Sequence, residues 1–181
     1  MHMKKILFTI TAGMFCFFIS CNSGSNTSAE NKSNDAAQKN LAAANAVNKA
    51  IETGDVSNLG DYIAADGVDH AGMKGEVKGL DSIKAELAKI HTMAADMKME
   101  TIKELADSEY VFQWMRFTGT AATADMGMPA GTRFDMSAIE VSRFKDGKAI
   151  EHWEFMQPAD MMKMMGPQQG MGNKRDTTMH K

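Results

Sequence analysis

The hydrophobic period of this chain changes once along its length, and that change limits the architectures open to it. Leu41, Ala44, Val47 and Ile51, then Leu80, Ile83, Leu87 and Ile90, stand three and four residues apart, the spacing of one face of an α-helix. Gly54 and Asp55 end the first run, and Asp81 is placed to cap the second. A short helix is expected over 56–64, and an extended stretch over 67–70. Beyond Met97 the pattern becomes strand-like: residues 97–105, 110–120, 133–144 and 148–156 are rich in β-branched and aromatic side chains. A last short helix over 159–165 is stopped by Gly166 and Pro167. Helices followed by strands predict an α+β domain.

The first residues have a different character. Lys4 and Lys5 precede an apolar run over 6–19, then Ser20 and Cys21. That run is shorter than the ~20 residues that span a bilayer, which favours a removable signal over an uncleaved anchor. Phe18-Ile19-Ser20-Cys21 resembles the lipobox of bacterial lipoproteins. The resemblance implies a diacylglyceryl group on the Cys21 thiol and an acyl chain on its amine, and more than one chain gives stable membrane anchoring. Residues 1–20 are then the signal peptide, and 21–36 the lipidated cysteine with a polar, disordered tether. Residues 37–166 are the folded domain and 167–181 a flexible tail. The expected location is the cell envelope, with Asn22 favouring the outer membrane and the domain periplasmic or surface-exposed.

Cys16 and Cys21 are the only cysteines of the 181 residues, so no disulfide can hold the domain and its core must do so. From Cys21 onward 18 basic residues face 23 acidic ones, because Lys4 and Lys5 leave the formal charge of -3 and make it -5. An acidic balance argues against a nucleic-acid partner.

Five strings in order carry a further resemblance: Ile51-Glu52-Thr53-Gly54-Asp55, Val68-Asp69-His70, Gly79-Leu80-Asp81-Ser82-Ile83, Phe117-Thr118-Gly119-Thr120, and the run from Arg143 to Glu154. Together they resemble the SnoaL-like polyketide cyclases of the nuclear-transport-factor-two-like superfamily, over about 45–166. The resemblance implies a cone-shaped α+β fold, with N-terminal helices packed on a curved, mainly antiparallel sheet. It also implies ring closure by an aldol-type reaction, using a carboxylate after the tryptophan and a histidine on the preceding strand. Glu154 and Glu140 occupy those two positions, and Ala121 stands where the family has another histidine.

Lys145-Asp146-Gly147 suits a three-residue hairpin loop with Gly147 left-handed. That loop pairs Phe144 with Lys148, Glu140 with His152 and Ala138 with Glu154, all on one face; a two-residue loop would set Glu140 beside Trp153. Glu154, Glu140 and His152 are therefore the candidate catalytic residues, with Glu154 as base, His152 tuning it and a protonated Glu140 bonding an enolate oxygen. Phe134, Met136, Ile150, Trp114 and His70 are the candidate ligand-binding residues. The ligand is a small, mostly apolar molecule, handled by isomerase or cyclase chemistry without a cofactor.

Other readings stay open. The acids form a structural cross-sheet bond, or the domain binds without turnover, or it pairs with a second copy through the outer face carrying Trp153 and Glu151. The histidines stand too far apart in sequence for a metal motif. The 18 methionines, among them Met161, Met162, Met164 and Met165, suit either adaptable packing or soft copper(I) ligation.

Overall fold

The computed structural model describes residues 26–164. The signal sequence, Cys21 and the tail over 167–181 lie outside the described residues. The first helix, α1, spans Asn26–Thr53, so it begins within the stretch expected to be a disordered tether. No glycine or proline interrupts 26–53, and once the packed part is helical each added residue needs only propagation, not a new nucleus. Residues 31–35 are exposed, whereas Ala37, Asn40, Ala43, Ala44 and Ala50 are buried, so packing starts where the periodicity does. Gly54 terminates α1 at φ +73°, and a Cβ there would lie 2.5 Å from Cδ2 of His91. The left-handed cap and the close ring both require glycine.

The helix expected over 56–64 is instead a 3₁₀ turn, Ser57–Asp61, followed at once by strand β1, Ile63–Asp69. Leu59 of the turn is 1 % exposed, worth about 2 kcal/mol of burial, and Ile63, Gly67 and Asp69 face inward from β1. Tertiary pairing overrode local preference here, because β1 runs parallel to the last strand. Then come β2, Val77–Lys78, and α2, Leu80–Met93. Gly79, not Asp81, caps α2; Asp81 lies in its first turn.

The second half follows the strand pattern: β3 Ala94–Ala106, β4 Tyr110–Ala121, β5 Arg133–Lys145 and β6 Lys148–Met156, closed by α3, Pro158–Met164. The six strands form one sheet in the order β2-β1-β6-β5-β4-β3, antiparallel except for the β1–β6 pair.

The β5–β6 register corrects both alternatives read from the sequence. The hairpin loop is the two residues Asp146 and Gly147, at φ +54° and +77°, the pair of left-handed residues that a type I′ turn needs. Lys145 pairs with Lys148 and Phe144 with Ala149, but Arg143 then pairs with Glu151, leaving Ile150 as an extra residue. That bulge sets Ser142 opposite His152 and Glu140 opposite Glu154. The register thus differs from the three-residue expectation by two residues, and a slip of two preserves the face of every side chain.

Two apolar clusters anchor the helices to the inner face of the sheet, one around Leu59, Ile63, Ile83 and Leu87 and one around Val111 and Phe144, and a third, around Phe134, Met136 and Met128, joins the strands to the loop between β4 and β5. They surround a cavity of about 520 Å³.

Candidate functional site

The cavity floor is built where β1, β5 and β6 meet. Asp69 is the register partner of His152 across the parallel pair, and Glu140 that of Glu154 across the antiparallel one. His152 lies 2.9 Å through Nδ1 from Oδ1 of Asp69 and 2.6 Å through Nε2 from Oε2 of Glu140. The backbone N–H of Ala71 also donates to Asp69 Oδ1, at 2.9 Å. Both carboxylates are buried, with their side chains 12 % and 11 % exposed.

This arrangement sets the charge states. Burial by itself would lower the His152 pKa, but bonds to Asp69 and Glu140, reinforced by their charges, push it up to about 10. Burial disfavours an ionised Asp69, yet the bond to His152, that residue's charge, and the Ala71 N–H hold its pKa below the ordinary value. His152 is therefore an imidazolium donating from both nitrogens. Glu154 also lines the cavity and is open to solvent on one side. Desolvation by its apolar surroundings, then the negative charges of Glu140 and Asp69, push its pKa up to about 7 against the pull of His152. Among the described residues Glu154 has no hydrogen-bond partner.

The three candidate catalytic residues thus converge, but Glu140 does not hold the role expected of it. Its oxygen accepts from His152 instead of donating to a substrate. Phe134, Met136 and Ile150 line the cavity as expected. Trp114 does not: it pairs with Ile139 on the outer face of the sheet and is 45 % exposed, because along β4 the inward positions are Val111, Gln113 and Met115. His70 also lies outside the cavity lining. It stacks on Trp153 with ring centroids 4.9 Å apart and bonds to Glu76 through Nδ1 at 2.9 Å.

The neighbouring Asp69 takes the place foreseen for His70. Strand alternation from Ile63 through Gly67 points Asp69 inward and His70 outward, a signal hidden while residues 56–64 read as helix. Two further polar side chains line the cavity: Gln113, the β4 register partner of Glu140, and Asn48 of α1. Asn48 of α1 donates to Gln113 Oε1 at 3.1 Å, and Gln113 donates to Asn45 at 2.8 Å and Glu104 at 3.2 Å. Gln113 stands among apolar residues in β4, and an amide at an inward strand position was its only sequence signal. Met97, Met126 and Met156 lie against Phe134 and Met136, with thioethers adaptable to irregular space, whereas Met161 and Met162 are exposed.

The chain resembles three solved structures closely enough to compare folds. IdmH from Streptomyces antibioticus, a proposed polyketide cyclase, is 23% identical with a TM-score of 0.59, over 70% of this chain and 98% of that one. A SnoaL-like polyketide cyclase from Agrobacterium tumefaciens is 17% identical at TM-score 0.59, over 68% and 95%. An LEH-like epoxide hydrolase from M. tuberculosis is 14% identical at TM-score 0.58, over 71% and 90%. At these identities the likeness is one of fold, the nuclear-transport-factor-two-like α+β fold. Among curated proteins none matches the chain. The SnoaL-like polyketide cyclase model matches residues 41–165, a span that takes in the second part of α1, all of α2, all six strands and every residue of the Asp69–His152–Glu140 cluster. On that match the chain belongs to the SnoaL-like polyketide cyclase family.

Proposed function

We propose that this protein is an exported, lipid-anchored member of its family that holds a small, mostly apolar molecule in the cavity and moves a proton on it, in isomerase or aldol-type cyclase chemistry. One observation carries the reading: a carboxylate without a hydrogen-bond partner, Glu154, that changes charge near neutrality, stands in an apolar cavity beside a fully bonded acid–histidine–acid cluster. The volume of about 520 Å³ is within the usual range of small-molecule sites, ~300–1,000 Å³. A base with a pKa near the working pH combines a useful ionised fraction with useful proton affinity. Glu154 removes a proton next to a carbonyl. The carboxylates of Asp69 and Glu140, each bonded to His152, raise the proton affinity of Glu154, so that it holds the proton it takes.

The test is hydrogen exchange. With a panel of aryl methyl ketones and β-keto esters in D₂O, the protein speeds loss of the α-proton, and Glu154→Gln slows it by about 100-fold or more while leaving binding largely intact. Equal exchange by wild type and variant removes Glu154 as the base. Binding without any exchange favours the non-catalytic ligand-binding module.

Anchoring rests on Lys4, Lys5, the apolar run over 6–19 and Cys21. In cells fed radiolabelled palmitate the chain takes up label, and Cys21→Ser takes up none. Label retained by that variant would rule out Cys21 as the lipid site.

A further inference from the structure

The ionisable side chains that line the cavity are of nearly one sign. Asp69, Glu86, Asp125, Glu140, Glu151 and Glu154 are carboxylates, His152 is the one potential cation, and no lysine or arginine contributes. Half of these six carboxylates have no counter-ion. His152 serves two carboxylates at once, so that cluster sums to -1, and Glu151 is paired with Arg143. Glu86 accepts the N–H of Met73, and Asp125 accepts from Thr123, both uncharged donors. Glu154 has no hydrogen bond. Among the described residues none of these three makes an ion pair. Apart from the neutral polar side chains Asn48, Gln113 and Ser142, the rest of the wall is thioether, aliphatic and aromatic, Phe117 and Phe134 among them.

Low-dielectric walls lined with charge of one sign focus the field and select ligands by charge. An anion would enter against that field, without a cationic side chain to receive it. A cation gains from it, from the polarisable sulfurs, and from the aromatic rings.

We propose that the cavity takes a hydrophobic amine in its ammonium form, with the positive nitrogen on the solvent-open side, where Glu154 and Asp125 are exposed. This deepens the reading above and rests on the cavity being a ligand site. It also suits the chemistry, because an ammonium near the reacting carbon acidifies the C–H bond that Glu154 breaks.

A matched series separates charge from shape: 2-naphthylmethylamine, 2-naphthylmethanol and 2-naphthoate, titrated calorimetrically into the full-length chain in phosphatidylcholine nanodiscs, with empty nanodiscs subtracted. The amine binds on the order of tenfold more tightly than the alcohol, a gain scaled to partly exposed charges, and the carboxylate binds most weakly. Glu154→Gln combined with Asp125→Asn brings the amine to within about twofold of the alcohol, whose affinity is unchanged, as expected when one favourable charge interaction is lost. Thermal melting checks that the variant is folded, and Asp125→Asn alone supplies an exposed substitution if the double variant is not. If the carboxylate binds as tightly as the amine, or the alcohol binds with no preference for the amine, the charge proposal fails while the cavity remains a ligand site. If none of the three binds, both readings fail.

Discussion

Replacing His152 by leucine is expected to lower the stability of the domain by about 3 kcal/mol, the scale set by breaking a buried ion cluster from one side. The loss does not come from the lost bonds alone. Asp69 and Glu140 are close to fully buried, and without the imidazolium they stand as uncompensated negative charges on either side of an apolar group. One of them must then take up a proton or draw in water. The same reasoning predicts recovery. In the triple variant Asp69→Asn, His152→Leu, Glu140→Gln the buried charges are gone, and most of the lost stability returns, since a buried ion pair is worth little more than a well-packed neutral replacement. Urea unfolding of the wild type, the single and the triple variant measures both effects. A single-variant loss below about 1 kcal/mol, without recovery in the triple, would be the ordinary cost of one substitution and would dissolve the idea of a coupled cluster.

The second large effect is on pH dependence. His152 has a folded pKa raised from 6.5 to about 10, so its contribution to stability is fully present below about 6.5 and is lost as pH rises through about 10. Asp69 has a lowered pKa, so its contribution is present above its ordinary 3.8 and is lost as pH falls through the lower folded value. Glu154 is raised from 4.5 to about 7, and the folded state therefore holds its proton more tightly. Its contribution is full below 4.5 and declines as pH rises through 7. The three windows overlap between pH 3.8 and 4.5, where the summed contribution of these three groups is greatest. Stability then falls in two stages, a smaller one from Glu154 up to about neutrality and a larger one from His152 toward pH 10, the latter of order a few kcal/mol. Glu154→Gln removes the first stage and leaves the second. Denaturant melts from pH 3 to 10 read this directly, and a stability flat from pH 5 to 10 in both proteins would contradict the charge assignments.

How far the sequence could be read depended on which kind of information each feature needed. The four long strands were visible because each is rich in β-branched and aromatic side chains over nine or more residues, and the observed β5 and β6 differ from expectation by at most one residue. β1 was not visible. Its residues 64–66 are only half-buried or exposed, and it is fixed by a parallel partner more than eighty residues away, which no local pattern announces. Without the first part of β1 the sequence did not show which of the pair Asp69 and His70 faces inward, and His70 was the one assigned to the cavity. The convergence of Glu140, His152 and Glu154 was legible despite a wrong register, because the shorter loop and the bulge at Ile150 each moved the pairing by one residue in the same sense. Trp114 was misplaced because apolar neighbours flank it on both sides, so composition does not distinguish the two faces of β4. The outer face carries Phe112, Trp114, Ile139 and Phe155, and this second apolar surface blurs the alternation.

The bond between Asp69 and His152 joins residues 83 apart in sequence, and it crosses the one parallel seam of the sheet. Such a seam has no hairpin to bring its strands together, so it closes only after the antiparallel strands have given β6 a position to be met. In order of assembly the charged cluster is therefore expected to be among the last things made, and a chain with everything but β1 in place would have a sheet without a working site. Amide-exchange protection at His70, whose N–H donates to His152 at 2.8 Å, should then be lost before protection in the β4–β5 centre, tying the availability of the site to a local opening that leaves the remainder of the domain folded.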